Sequence, residues 1–338
     1  MGKLSRRQAM LAGAAAVIAA QAKASPGGVD DGGFLPIGGI DQWVQVRGRD
    51  AAAPLMLFLH GGPGEAMSPF ASRFEPYEQD FTVALWDQRG AGKTYGRSGR
   101  DATPGMDRQQ FVQDGVEVAQ ALLRRHGKRK LVLVGHSWGA ALGLYIAQRR
   151  PDLFHAFVGT GQPVSNALAV ESQERWARGV MTAKGDQEGL SKLDAVADLP
   201  PTDDRRRFAT RGLILGPDDQ AFIAVERAYV GPQPFPKTGD IADWVGGFSF
   251  TSNVLVPKIM KAEVVDVAGY DVPLPYGVIQ GRDDRICPTE VARDYVAKVR
   301  APAKAFTEID GGHFACLTHQ AAFLEALRRY VPPLCAGG

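Results

Sequence analysis

Gly135-His136-Ser137-Trp138-Gly139 sets a serine between two glycines in the pattern G-x-S-x-G, with apolar runs on either side that read as a strand and a helix. In such a strand-to-helix turn the glycines remove β-carbons that would clash, which pushes the serine hydroxyl out over the sheet edge. The amides opening the helix then point at the reacting centre. Ser137 is therefore a candidate nucleophile. It needs a base, and the base needs an orienting carboxylate, in the chain order Ser, Asp, His that accompanies this kind of elbow. Asp284 and His313 satisfy that order in Gly281-Arg282-Asp283-Asp284 and Asp310-Gly311-Gly312-His313, with Asp283 and Asp310 as rival carboxylates. Among the six histidines, His60 and His136 lie inside other motifs, His126 and His155 fall in polar helix-end contexts, and His319 sits within the expected final helix. His60-Gly61-Gly62-Pro63-Gly64 follows another apolar run. A backbone N–H of Gly61 or Gly62, paired with that of Trp138, would form an oxyanion hole. A phosphate-binding reading fails because no Lys with Ser or Thr follows at P-loop spacing. These parts suffice for acyl transfer through a covalent intermediate, and no cofactor or metal is implied.

Such residues must be held at strand ends, and the chain offers the strands. Around Phe34–Ile37 and Trp43–Val46 a short antiparallel hairpin is expected after a Gly-rich linker over 27–33. Leu55–Leu59 and Thr82–Trp86 are compact apolar runs bounded by turn residues, as expected of strands buried on both faces. Helical periodicity over Met106–Arg125, ending at Gly127, precedes a strand over Leu131–Val134. A helix over Trp138–Arg149, stopped by Pro151, leads to a strand over Ala156–Gly159. This alternation implies right-handed βαβ units in a doubly wound, mostly parallel sheet. From 163 to 270 it disappears into a mainly helical stretch, read as an inserted lid. It resumes with a strand over Tyr276–Gln280, a helix over Pro288–Val299, a strand over Ala305–Ile309 and a closing helix over Phe314–Tyr330. The core is thus expected over 34–162 and 271–335.

A chain of 338 residues, 45% hydrophobic and 22% charged, can bury a large core and is neither disordered nor a membrane bundle in composition. It opens with paired Arg6 and Arg7, an apolar run rich in small residues from Ala9 to Ala20, and Ala22-Lys23-Ala24. Those features predict a twin-arginine-like export signal over 1–24, and hence a periplasmic protein with no stable membrane association after signal removal. The segment holds four of the 39 basic residues and no acidic one, so cleavage leaves 35 against 37. That balance excludes nucleic acid as the expected partner. Cys287, Cys316 and Cys335 are too few for a disulfide scaffold and match no zinc spacing. Cys287 and Cys316 each stand three residues beyond a candidate catalytic residue, and an exported protein would permit a bond between them.

At these motifs the chain resembles the prolyl aminopeptidase (proline iminopeptidase) family of α/β hydrolases. The resemblance is carried by His60–Gly64, by Trp86-Asp87-Gln88-Arg89-Gly90 with Ala91-Gly92-Lys93-Thr94, by Gly135–Gly139, by Gly281–Asp284 with Cys287-Pro288, and by Gly311–His313. It implies the α/β-hydrolase fold with a helical lid, and it selects Asp284 as the third member of a Ser137, His313, Asp284 triad. It also implies a structural role for Asp87–Gly90, and for Glu226, in Glu226-Arg227-Ala228-Tyr229, binding of the substrate's free amine. Phe222, Val225 and Tyr229 would set Glu226 on the apolar underside of the lid. His136 and Asp283 depart from the family, which commonly has glycine and tyrosine there. The expected activity is release of N-terminal proline or a similar residue from small peptides. A carboxylesterase or lactonase acting on small acyl substrates would use the same triad. A hydrolase-like ligand-binding protein would lack part of it.

Overall fold

A computed structural model describes residues 27–101, 103–201, 203–210, 214–230, 239–259 and 262–331. Eight strands form one sheet: β1 (Val29–Ile37), β2 (Ile40–Gly48), β3 (Leu55–Leu59), β4 (Thr82–Trp86), β5 (Leu131–His136), β6 (Phe154–Thr160), β7 (Tyr276–Gly281) and β8 (Lys304–Ile309). Their order is β1-β2-β4-β3-β5-β6-β7-β8. The β1–β2 and β2–β4 pairings are antiparallel, and the other pairings are parallel. Gly38 and Gly39 close the opening hairpin with φ of 55° and 81°, as a two-residue turn matched to strand twist requires. The hairpin is longer than its apolar residues suggest. Val29–Gly33, expected as linker, pairs with Val44–Gly48. An edge strand satisfies its backbone through one neighbour and needs no apolar run to do so.

Along β3 the side chains alternate between two cores. Leu55, Leu57 and Leu59 enter one with Phe111, Leu142 and Phe157, while Met56 and Phe58 enter the other with Phe74, Val134 and Phe323. Period-two alternation with both faces covered explains why these strands read as unbroken apolar runs. The helix Arg108–His126 is capped by Asp107, whose side chain accepts the Gln110 N–H at 3.0 Å, and it ends on Gly127 at φ 62°. Between β6 and β7 the described residues form helices at Asn166–Lys184, Gln187–Asp194, Asp204–Ala209, Pro217–Val230, Gly239–Val254, Val256–Ile259 and Val264–Ala268. The expected closing helix is two, Ala315–Thr318 and Gln320–Tyr330, because His319 leaves helical geometry at φ −119°, ψ 48°. His155 lies on β6 and not at a helix end. The expected export signal and Cys335 lie outside the described residues.

Candidate active site

The parallel strands deliver their following loops to one edge of the sheet, where open α/β sheets build their sites. Ser137 follows β5 and is, among the described residues, the one non-glycine with positive φ, at φ 54° and ψ −119°. That strain is held in place locally. Ser137 N–H donates to Thr160 O at 2.9 Å, and the Ser137 carbonyl accepts from Ala140 N at 2.8 Å. A β-carbon on Gly135 would overlap the carbonyl of Gly139, and one on Gly139 would overlap that of Leu59. Both glycines are therefore required by backbone approach, and the only partly exposed side chain of the elbow is the serine itself.

Of the rival carboxylates, Asp284 alone meets the histidine. Its Oδ2 lies 3.0 Å and its Oδ1 3.2 Å from His313 Nδ1, with both residues buried. Asp283 and Asp310 have side chains 70% and 73% exposed and face Arg285 and Arg282 instead. Asp284 also accepts Gln280 Nε2 at 2.8 Å, Ile286 N–H at 3.0 Å and Cys287 N–H at 2.9 Å. Burial works to lower the His313 pKa, but the charge and hydrogen bond of Asp284, with the charge of Asp219, outweigh it and hold the pKa above the usual histidine value. His136, inside the elbow, supports this ring. Its Nε2 lies 3.0 Å from the His313 carbonyl oxygen, and the two rings sit 4.8 Å apart. Burial, then the neighbouring His313, push His136 down to about 3, so it is neutral. Gly161, after β6, lies against both rings: a β-carbon there would come within 2.9 Å of His313 Cε1 and 3.3 Å of the His136 ring.

The His60–Gly64 turn approaches the nucleophile closely. A β-carbon on Gly61 would stand 3.1 Å from Ser137 Cβ. Gly62 adopts φ 103° and precedes Pro63 through a cis peptide bond. The Trp138 N–H is the first of its helix and so lacks an intrahelical partner, as an oxyanion donor must. Gln88 joins the two halves of the expected hole. Its Nε2 donates to His60 O at 3.1 Å, its N–H donates to His60 Nε2 at 3.2 Å, and its Oε1 accepts Trp138 Nε1–H at 3.0 Å. The rest of that loop is a buried frame. Asp87 accepts Ser68 Oγ and Lys93 N–H, and Arg89 pairs with Asp114 at 2.8 Å with neither side chain exposed.

Glu226, on the helix Pro217–Val230, is buried as expected, but Val225 beside it is 38% exposed and faces away from that interior. The underside is set by Phe222, whose ring stacks on Phe314 at 4.5 Å. The side chain of Tyr229 lies outside the described residues. Glu226 meets a residue the sequence did not single out: Glu65, next after His60–Gly64, hydrogen-bonds to it. Glu65 Oε2 lies 3.2 Å from the β-carbon position of Gly61, the same position that lies 3.1 Å from Ser137 Cβ. Burial first, then the Glu226 charge, raise Glu65 well above the carboxylate range, and burial pushes Glu226 up to about 7. The pair therefore shares a proton at neutral pH. Its one sequence signal was a carboxylate directly after a glycine turn.

Cys287 and Cys316 are buried free thiols, so the bond considered between them is not formed. Burial pushes both thiols up and keeps them protonated. Among the described residues no group of three or more His, Cys, Asp and Glu side chains is placed to hold a metal ion.

Residues 54–320 match the α/β hydrolase fold family. The probable aminopeptidase YbaC of Bacillus subtilis (strain 168) is 29% identical over 307 residues, covering 88% of this chain and 94% of that protein. The proline iminopeptidase of Thermoplasma volcanium is 26% identical over 227 residues, 63% of this chain and 73% of that one. Among solved structures, the proline iminopeptidase-related protein of Thermus thermophilus superposes with a TM-score of 0.61 at 20% identity, over 90% of this chain and 99% of that chain. The proline iminopeptidase of Mycobacterium smegmatis gives 0.59 at 23% identity, over 91% and 100%. At these identities the structures show the shared fold.

Proposed function

Because the chain belongs to the α/β-hydrolase fold family, we propose that it is a serine hydrolase that releases an N-terminal proline, or a similar residue, from small peptides. Ser137 Oγ attacks the carbonyl carbon of the first residue while His313 Nε2 takes the hydroxyl proton. The carbonyl electrons move onto oxygen, where the N–H groups of Gly61 or Gly62 and of Trp138 bind the charge. Collapse breaks the C–N bond, and the shortened peptide leaves as an amine carrying the proton from His313. Water, deprotonated by His313, then cleaves the acyl-enzyme and frees Ser137.

The observation that carries the substrate class is the Glu65–Glu226 pair beside Ser137. A substrate ammonium enclosed by protein needs an anionic partner, because an unpaired buried charge is costly. The secondary ammonium of an N-terminal proline has two N–H groups, one for each carboxyl. A neutral ester or lactone gains nothing from this pair. The described helices between β6 and β7 serve as the lid that excludes water from it. The first 24 residues support export to the periplasm, which a fusion of that segment to a reporter active only after export tests.

The deciding experiment compares prolyl-naphthylamide, its N-blocked form and a short-chain nitrophenyl ester. N-blocking is expected to lower kcat/KM roughly 30-fold or more, the size of a broken desolvated charge pair. Turnover of the ester with none of the amide would reject the aminopeptidase reading.

A further inference from the structure

Asp219 stands in the first turn of the helix Pro217–Val230, a position where an acidic residue ordinarily caps backbone N–H groups in solvent. Here its side chain is fully buried and turned away from its own helix. Oδ1 accepts the Phe314 N–H at 3.0 Å, and the carboxylate accepts the His313 backbone N–H as well. A β-carbon on Gly312 would overlap Oδ2, so the glycine before His313 makes room for this carboxylate. Oδ2 itself is buried with no hydrogen-bond partner. A neutral asparagine could accept the same N–H bonds at lower desolvation cost, so the charge calls for a separate explanation.

We propose that Asp219 is a positioning residue that fixes the Gly312–Phe314 turn and stabilises the imidazolium form of His313, making the seating of this helix and the competence of the base a single event. The inference rests on His313 as the base in the proposed reaction. Three titratable groups act on that ring: Asp284 from the loop after β7 by a direct hydrogen bond, Asp219 from the helix over 217–230 by its charge beside the His313 and Phe314 backbone, and His136 from β5 by ring proximity. His136 is neutral, so the two carboxylates oppose burial, and Asp219 is the one delivered by a segment outside the sheet. Phe222, one turn further along the same helix, stacks on Phe314 and locks the docking. Withdrawal of the helix would remove charge, N–H acceptor and ring contact together.

The test reads labelling of Ser137 by a fluorophosphonate against pH, which requires no knowledge of the substrate. In Asp219→Asn, which keeps the N–H acceptor and loses the charge, plateau labelling should fall about tenfold, because the imidazolium that forms as Ser137 is labelled loses a nearby anion. Its acid limb should move to lower pH, because His313 would lose a carboxylate that favours the protonated ring. Asp219→Ala should show the same limb shift with a deeper fall, and either variant that folds decides. An unmoved acid limb in a folded variant overturns the proposal, including the case where only Asp219→Ala is slow and the residue is a structural clamp. Labelling that persists in Ser137→Ala would instead reject the triad reading on which the proposal rests.

Discussion

Asp284 Oδ2 lies 3.0 Å from His313 Nδ1 while the same carboxylate receives Gln280 Nε2 and two backbone N–H groups. With its lone pairs so engaged the carboxylate keeps one orientation, which holds the proton on Nδ1 and leaves Nε2 to receive the Ser137 proton. Asp284→Asn should therefore cut turnover about 10⁴-fold by favouring the wrong tautomer, with little loss of fold. Asp283→Asn and Asp310→Asn, altering exposed side chains, should stay within about twofold. Hydrolysis rates of the three variants settle the assignment, and the reverse ranking would overturn it.

Gly135→Ala and Gly179→Ala should move stability in opposite directions. A β-carbon at Gly135 meets backbone, which cannot rotate aside, so the elbow must deform and both folding and labelling suffer. Gly179 is exposed within the helix Asn166–Lys184, with nothing within 4 Å of its β-carbon position. Alanine there should add about 0.5–1 kcal/mol in urea unfolding. A destabilised Gly179→Ala would mean that the helix end is held by contacts its backbone does not suggest.

Arg89 and Asp114 form an ion pair with no exposed side-chain surface, and Arg89 also donates to the carbonyls of Gly38 and Pro104. Asp114→Ala leaves the guanidinium buried without its anion and should cost about 3–5 kcal/mol. Arg89→Met combined with Asp114→Leu should recover much of that loss, since the desolvation penalty goes with the charges. Urea midpoints of the single and double variants check this. A double variant no more stable than Asp114→Ala would show that the pair is net stabilising.

The legible parts of this site were those whose requirements are local. Gly135 and Gly139 announce themselves because only glycine survives the backbone approach at each, and the strands because both faces are buried. Asp284 was separated from Asp283 by the motif resemblance alone, since adjacent residues in a loop otherwise differ only in where their side chains point, and the hydrogen bond to His313 agrees with that choice. Asp219 gave no signal at all: its partner is 95 residues away, and in sequence it resembles any acidic first turn. Glu65 was hidden for the same reason. Its chemistry exists only where the helix bearing Glu226 folds back over the His60–Gly64 turn. Val29–Gly33 misled in the other direction, because composition marks a linker but pairing makes a strand.

The Glu65–Glu226 pair should separate free-amine substrates from blocked ones by pH as well as by mutation. Above about 7 the pair carries the negative charge an ammonium needs, and below it Glu226 takes up a proton as its raised pKa dictates. KM for prolyl-naphthylamide should therefore rise as pH falls through about 7, whereas an N-blocked ester should follow only the His313 limb in kcat. Glu226→Gln should cost roughly 2 kcal/mol or more in kcat/KM on the free amine and little on the ester, the penalty for removing one partner of a desolvated pair. The stability sign runs the other way. A carboxyl whose folded pKa lies above its unfolded value binds its proton more tightly in the fold, so its contribution is present at low pH and lost as pH rises through about 7. Glu226→Gln, free of that penalty, should unfold at higher urea than the unsubstituted protein at pH 8, with the difference shrinking toward pH 5. Equal kinetic losses on both substrates, with no gain in stability at pH 8, would show that the two carboxyls are not a charged amine site.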